Sequence, residues 1–573
     1  MTSLVDRAAA AFREDDIPTA EATVLQVLEQ APCDPAALRL LSDIRRPTSP
    51  VAAEVLLRRL VTLDPNDFAA TNELALLLLY AGKLSDAEIL ARNAVRMGPE
   101  HAHAHHLMGI VMTSLNLPQF GEYHFRRALE LIDEPDAVLL THFARNQKAQ
   151  GKMSAGRQLY EESLALDPTL LQALLGWAQL EETDRNFPQA AVLLDRAERL
   201  APGNQSVLLL RAMLHGRQRS YDDALAALDA IAKQREDNAL GPNELLEKGR
   251  LLDRMGHYDE AFQAFSDGKR LLRETSGQDY MADEASQLAA RLKGFFTRGR
   301  LAITPRAATA ENAAQPIFIL GFPRSGTTLI EQTLTAHPRI SAGDELPFIR
   351  EITQMMPRLL NSPLAYPEAL AELWMGDQRS GLDNLRDHYL RRAEQFGVVQ
   401  PDMPWFTDKM PLNETHLGLI SLLFPRSPLI HVIRHPLDVV LSAFSNQMTH
   451  GYFCTYSLES IARHFALVSD LVDHYRAEVP LNYLTVRYEQ VVEHQESAVR
   501  DMLQFIGEPF DARCLHFEEN RRYARTASYA QVTEKLYTRS RYRYRRYLRH
   551  LAPVIPILEP IIEKLGYSID SDE

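Results

Sequence analysis

Residues 316–328 read PIFILGFPRSGTT and continue as LIEQTL to Leu334. Pro316 to Leu320 is a short continuous apolar run, the pattern of a parallel strand buried on both faces. Leu329, Ile330 and Leu334 then fall at helical spacing. Between them lies Gly321-Phe322-Pro323-Arg324-Ser325-Gly326-Thr327-Thr328. Strand, glycine-bearing loop and helix, in that order, turn backbone N–H groups and the positive helix end toward one point, which suits an anion. The spacing is Gly-x4-Gly, as in the phosphate loop of nucleotide hydrolases, yet Thr327 stands where those loops keep a lysine. Its absence argues against ATP or GTP hydrolysis. Arg324 supplies a planar fork of donors for phosphate or sulfonate oxygens instead.

Downstream, Leu429-Ile430-His431-Val432-Ile433 is a second apolar run, ending in Arg434. Hydrolases usually end this strand in an aspartate that organises Mg²⁺. A cation there suits a second phosphate. His435-Pro436-Leu437-Asp438 opens the next helix, and Ser442 follows Arg434 by eight residues. Alone, a strand-end arginine is an ordinary salt-bridge partner; beside the loop it reads as an anion ligand.

Upstream, the chain repeats itself. Small residues recur at Ala20, Ala53, Ala87, Gly121, Gly156, Ala190, Ala224 and Ala261, 33 to 37 residues apart. A second series runs twelve earlier, at Ala8, Ala75, Gly109, Ala144, Ala178, Ala212 and Gly249, broken only by Leu41. Prolines stand twelve after the first series at Pro32, Pro65, Pro99, Pro168 and Pro202, with Pro135 displaced by two. Two helices approach closely only where facing side chains are small, and proline stops the second helix. This 34-residue period resembles the tetratricopeptide repeat, with eight units over about the first 275 residues. That resemblance implies a concave groove for a protein or peptide, although such arrays also serve as spacers or dimerisation surfaces, leaving a homodimer open. Helical spacing over 281–301 reads as a capping helix, and 301–315 as a linker.

The chain has 573 residues, 46% hydrophobic and 24% charged, with a net charge of −14. Length calls for more than one domain, and the acidity argues against general nucleic-acid binding. Cys33, Cys454 and Cys514 have neither disulfide-framework nor metal-ligand spacing. With no signal-like or membrane-spanning run and no metal-ligand spacing, the expectation is a cytoplasmic protein without a metal.

The marks of the second half, taken together, resemble the sulfotransferase family, over roughly 316–550. The resemblance implies a P-loop-like parallel α/β domain over 316–573, following an α-solenoid over 1–300. It implies PAPS (3′-phosphoadenosine 5′-phosphosulfate) as donor and PAP as product. Arg324, Ser325, Gly326, Thr327 and Thr328 correspond to the 5′-phosphosulfate loop, and Arg434 with Ser442 to the 3′-phosphate pair. Tyr488, in Val486-Arg487-Tyr488-Glu489, corresponds to the tyrosine flanking the nucleotide. Ala336-His337-Pro338 with Gly343-Asp344-Glu345 is similar to the tyrosylprotein branch, which implies Glu345 as general base, 21 residues after Arg324, with Asp344 as substitute. Lys409, in Thr407-Asp408-Lys409-Met410-Pro411, corresponds to the lysine at the transferring group. Ser528, in Thr526-Ala527-Ser528, corresponds to a donor-contacting serine, and Arg546 stands in the lid segment. Residues 521–549 hold ten Lys/Arg against Glu534 alone, either a steering rim or a solvated basic face. The implied acceptor is a protein or peptide tyrosine. A carbohydrate hydroxyl, a P-loop kinase or hydrolase, and a non-catalytic scaffold are the alternatives.

Overall fold

The computed structural model describes residues 4–309, 313–374, 380–448, 452–519 and 540–569. The chain forms two compact units, Met1–Val207 and Leu208–Glu573.

The first unit is helical throughout its described residues. Its hairpins are α1 (Leu4–Arg13) with α2 (Ile17–Gln30), α3 (Pro35–Arg45) with α4 (Pro50–Leu63), and α5 (Phe68–Tyr80) with α6 (Leu84–Met97). They continue as α7 (Ala102–Ser114) with α8 (Pro118–Glu130), α9 (Ala137–Ala149) with α10 (Met153–Leu166), and α11 (Leu171–Thr183) with α12 (Phe187–Leu200). Both series of small residues are buried where the helices meet. At α7 and α8 the fit leaves no room for a methyl group. A Cβ on Gly109 would lie 2.9 Å from the Phe125 ring, and one on Gly121 would lie 2.8 Å from the Gly109 carbonyl oxygen. Pro32, Pro65, Pro99, Pro168 and Pro202 each stand two residues past a helix end, as the sequence pattern predicts.

The second unit opens with two more hairpins. They are α13 (Gln205–Gln218), within which the division falls, with α14 (Tyr221–Ala232), and α15 (Pro242–Met255) with α16 (Tyr258–Ser276). The cap α17 (Ala282–Phe295) and a short α18 (Arg298–Leu301) follow. The strands are β1 (Gln315–Leu320), β2 (Ile340–Ser341), β3 (Trp405–Asp408), β4 (Leu429–Ile433) and β5 (Tyr483–Arg487). They pair in the order β2-β3-β1-β4-β5, and every pairing is parallel. Ile317 and Ile319 pack with α19 (Thr327–Leu334), while Phe318 on the opposite face meets Tyr389 and Phe424. Burial on both faces explains the unbroken apolar run.

A boundary near residue 300, expected from the repeats, would cut through a hydrophobic core. Leu246, Leu252, Ala261, Ala264 and Phe265 of the last hairpin share one buried cluster with Phe322, with Leu437 to Phe444 on the helix Pro436–Phe444, and with Tyr544 and Tyr547. Lys269 of α16 is also buried, and its Nζ donates to the Asn446 carbonyl at 2.6 Å. Burial pushes this ammonium's pKa down to about 7. The expected linker is docked in part: Ala307 is buried and its N–H bonds the Leu422 carbonyl. A fragment 208–573 is therefore expected to elute as a monodisperse species on size exclusion. A fragment 301–573, with that apolar face uncovered, is expected to aggregate.

Candidate active site

In parallel strands all carboxyl ends emerge on one edge, and the residues that follow them meet there. After β1, the chain turns through Gly321 (φ +147°), Arg324 (φ +79°) and Gly326 (φ +109°) before α19 begins. A Cβ at Gly321 would lie 2.4 Å from the Val432 carbonyl oxygen, and one at Gly326 would lie 2.5 Å from the Tyr488 ring. Only glycine fits at either point. Ser325, Thr327 and Thr328 are buried at the helix start, where N–H groups lack intrahelical partners.

After β4 comes Arg434, its guanidinium 4.7 Å from the centre of the Tyr488 ring. It donates to the Arg324 carbonyl at 3.2 Å, to Asp438 at 3.3 Å and to the Ser540 carbonyl. Burial opposes its charge, but Asp438, Tyr488 and Glu489 more than offset this and raise its pKa. Arg324 Nε in turn donates to Ser442 Oγ at 3.1 Å. Ser325 Oγ and Arg434 Nε are buried with no hydrogen-bond partner among the described residues.

After β3 comes Lys409, wholly buried, and after β2 comes Glu345; Lys409 Nζ donates to Glu345 Oε1 at 2.7 Å. The sequence pattern gave no hint of what holds this pair. Glu331, buried on α19, accepts from Thr407 Oγ1 at 2.7 Å and from the Asp344 N–H at 3.0 Å. Gly343 N–H donates to Thr407 Oγ1, and Lys409 N–H to the Asp344 carbonyl at 2.9 Å. The acid and the lysine are thus tied to the helix that starts at the loop. Beneath them, burial pushes the Asp408 carboxyl up to about 7, and Tyr389 donates to it at 2.6 Å.

Residues 316–512 match the sulfotransferase family. An uncharacterised protein of Aquifex aeolicus is 30% identical over 333 residues, covering 55% of this chain and 41% of that protein. Protein-tyrosine sulfotransferase A of Caenorhabditis elegans is 29% identical over 207 residues, covering 35% of this chain and 52% of that protein. This chain therefore spans about half the length of the curated relatives it matches. A tetratricopeptide repeat protein from Parabacteroides merdae is similar over 40% of this chain and 91% of its own, at 16% identity and a TM-score of 0.37.

Within the matched residues, Arg324, Ser325, Gly326, Thr327, Thr328, Arg434, Ser442 and Tyr488 come together as one cluster, and Glu345 with Lys409 as a second. Ser528 lies outside the described residues. Arg546 lies 5.3 Å from the centre of the Tyr258 ring. Of the described part of the basic run, Arg541, Arg543 and Arg549 pair with Glu493, Asp253 and Asp259; its residues 521–539 lie outside the described residues. No group of three or more His, Cys, Asp or Glu side chains suited to a metal occurs among the described residues. No described helix is long and apolar enough to cross a membrane.

Proposed function

We propose that this protein transfers a sulfuryl group from PAPS to a hydroxyl, most directly a tyrosine of a protein or peptide. The observation that carries this reading is the order of groups along one sheet edge. Glu345, Lys409, the 321–326 loop, Arg434 and Tyr488 follow β2, β3, β1, β4 and β5, the spatial order of the strands. A base and a cation thus flank one side of the anion loop, and a second anion ligand flanks the other.

Bound PAPS supplies an activated sulfuryl group on a phosphate leaving group. The loop N–H groups and the start of α19 hold the phosphosulfate oxygens, with Arg324 closing over them. Arg434 and Ser442 take the 3′-phosphate, and the Tyr488 ring keeps the guanidinium in place. Lys409 holds positive charge where negative charge develops in transfer. Glu345 removes the acceptor's proton at its carboxylate. Ser528 is proposed to contact the donor, with Arg546 as the candidate nucleotide-contacting residue of the C-terminal segment. The helix hairpins are proposed to offer a groove to the protein acceptor or to a partner in the cytoplasm.

Arg434→Ala should weaken PAP binding by about 10- to 100-fold, the loss of one charge-assisted contact. Adenosine 5′-phosphosulfate, which lacks the 3′-phosphate, should bind almost as before. Equal losses in calorimetry would move Arg434 elsewhere in the site.

The acceptor is tested by incubating the protein with labelled PAPS in a lysate and identifying sulfated products by mass spectrometry. Sulfotyrosine supports the reading. Label on glycans alone would replace the acceptor, and no transfer at all would favour a nucleotide-binding scaffold.

A further inference from the structure

Asp253 lies in the last turn of α15, where the negative end of the helix dipole disfavours a carboxylate. Its position makes sense only through what it touches. Arg543 donates to Asp253 Oδ1 through Nε at 3.1 Å, and the Tyr547 hydroxyl donates to the same oxygen at 2.5 Å. The ring of Tyr547 is wholly buried, edge-on to Tyr258 with ring centres 5.5 Å apart. These contacts fix residues 540–547. That segment gives its Ser540 carbonyl to Arg434 and its Tyr544 N–H to Asp438 Oδ1 at 2.9 Å, and Asp438 itself pairs with Arg434. Arg543 also reaches Ser445 Oγ at 3.4 Å, just beyond the helix that carries Ser442. A continuous set of hydrogen bonds thus runs from a repeat hairpin to the arginine at the end of β4.

We propose that Asp253 is a positioning residue for the 3′-phosphate anchor: through Arg543 and Tyr547 it holds the 540–547 segment, which sets the orientation of Arg434. The proposal rests on the reading of Arg434 as that anchor. It gives the last hairpin a part in donor binding, separate from any role of the array in holding an acceptor.

The test is calorimetry on the full chain with two ligands, PAP and adenosine 5′-phosphosulfate. Asp253→Asn keeps an acceptor oxygen for Tyr547 but removes the charge facing Arg543. It should bind PAP about 10-fold more weakly, with adenosine 5′-phosphosulfate unchanged. Asp253→Glu should recover part of the loss. In an Arg434→Ala background, Asp253→Asn should cost nothing further, because both act on one contact. Tyr547→Phe, which keeps the buried ring, should follow the same pattern and serves if Asp253→Asn folds poorly. If the wild type binds PAP and Asp253→Asn matches it, the inference is overturned while the proposed function stands. Equal weakening of both ligands together with a lowered melting temperature would reduce Asp253 to a structural contact and overturn it too. If the wild type fails to bind PAP, the proposed function falls, and this inference with it.

Discussion

Glu345→Gln is expected to lower turnover by about 10²–10⁴-fold, the usual contribution of a positioned general base. PAP affinity should stay near normal, because the donor contacts proposed here come from the loop and from the groups after β4 and β5. The substitution keeps an oxygen that can accept from Lys409 Nζ, so the buried ammonium retains a partner. Asp344→Asn is the control. Asp344 sits at φ +61°, a conformation asparagine tolerates, and its backbone makes the bonds to Glu331 and Lys409. Those backbone bonds are kept in Asp344→Asn. Near-normal turnover in Glu345→Gln with loss in Asp344→Asn would move the base by one residue. Activity in both would remove the case for a tyrosylprotein-type base and favour a carbohydrate acceptor handled by another group.

Lys409→Met is expected to cost about 10²–10³-fold in kcat, the scale seen when one preorganised electrostatic donor is removed. The loss should fall on kcat more than on KM for the donor, since the charge is needed where it develops in transfer. Stability should change less than for a fully buried ion pair. The Glu345 side chain keeps 16% exposure and can be hydrated once the lysine is gone. Lys409→Arg restores the charge but not the shape, and a planar fork in a wholly buried site should recover little activity. Full activity in Lys409→Met, by single-turnover measurement, would leave the lysine a structural partner of Glu345.

What the sequence disclosed depended on the range of each constraint. The phosphate loop is local: strand, glycines and helix lie within twenty residues, and each glycine answers a close approach visible only in kind from the sequence. The repeat register is legible because the same steric rule acts eight times. Arg434 is legible as a cation directly after an apolar strand, whereas Lys409 follows the mixed strand Trp405–Asp408 and is legible only through the family resemblance. Glu331 is different. It reads as an ordinary helix residue in LIEQTL, and its importance depends on Thr407 and Asp344, brought to it by the sheet. Asp253 and Lys269 are hidden for a similar reason. The paired small residues continue into the last hairpin, at Gly249 and Ala261, with only a longer spacing from the preceding unit, so they cannot tell which neighbour covers the hairpin's outer face. That face is buried against the helix carrying Ser442, and the division at 207/208 follows from it.

The central claim is that the edge of this sheet holds a nucleotide carrying a 3′-phosphate and a 5′-phosphosulfate. It is tested most directly by titrating the full chain with PAP, and separately with ATP plus Mg²⁺, in one calorimetric series. PAP is expected to bind saturably at one site, the binding is expected to be lost or sharply weakened in Arg434→Ala, and ATP with Mg²⁺ is expected to bind far more weakly. Tight binding of ATP with Mg²⁺ and none of PAP would contradict it.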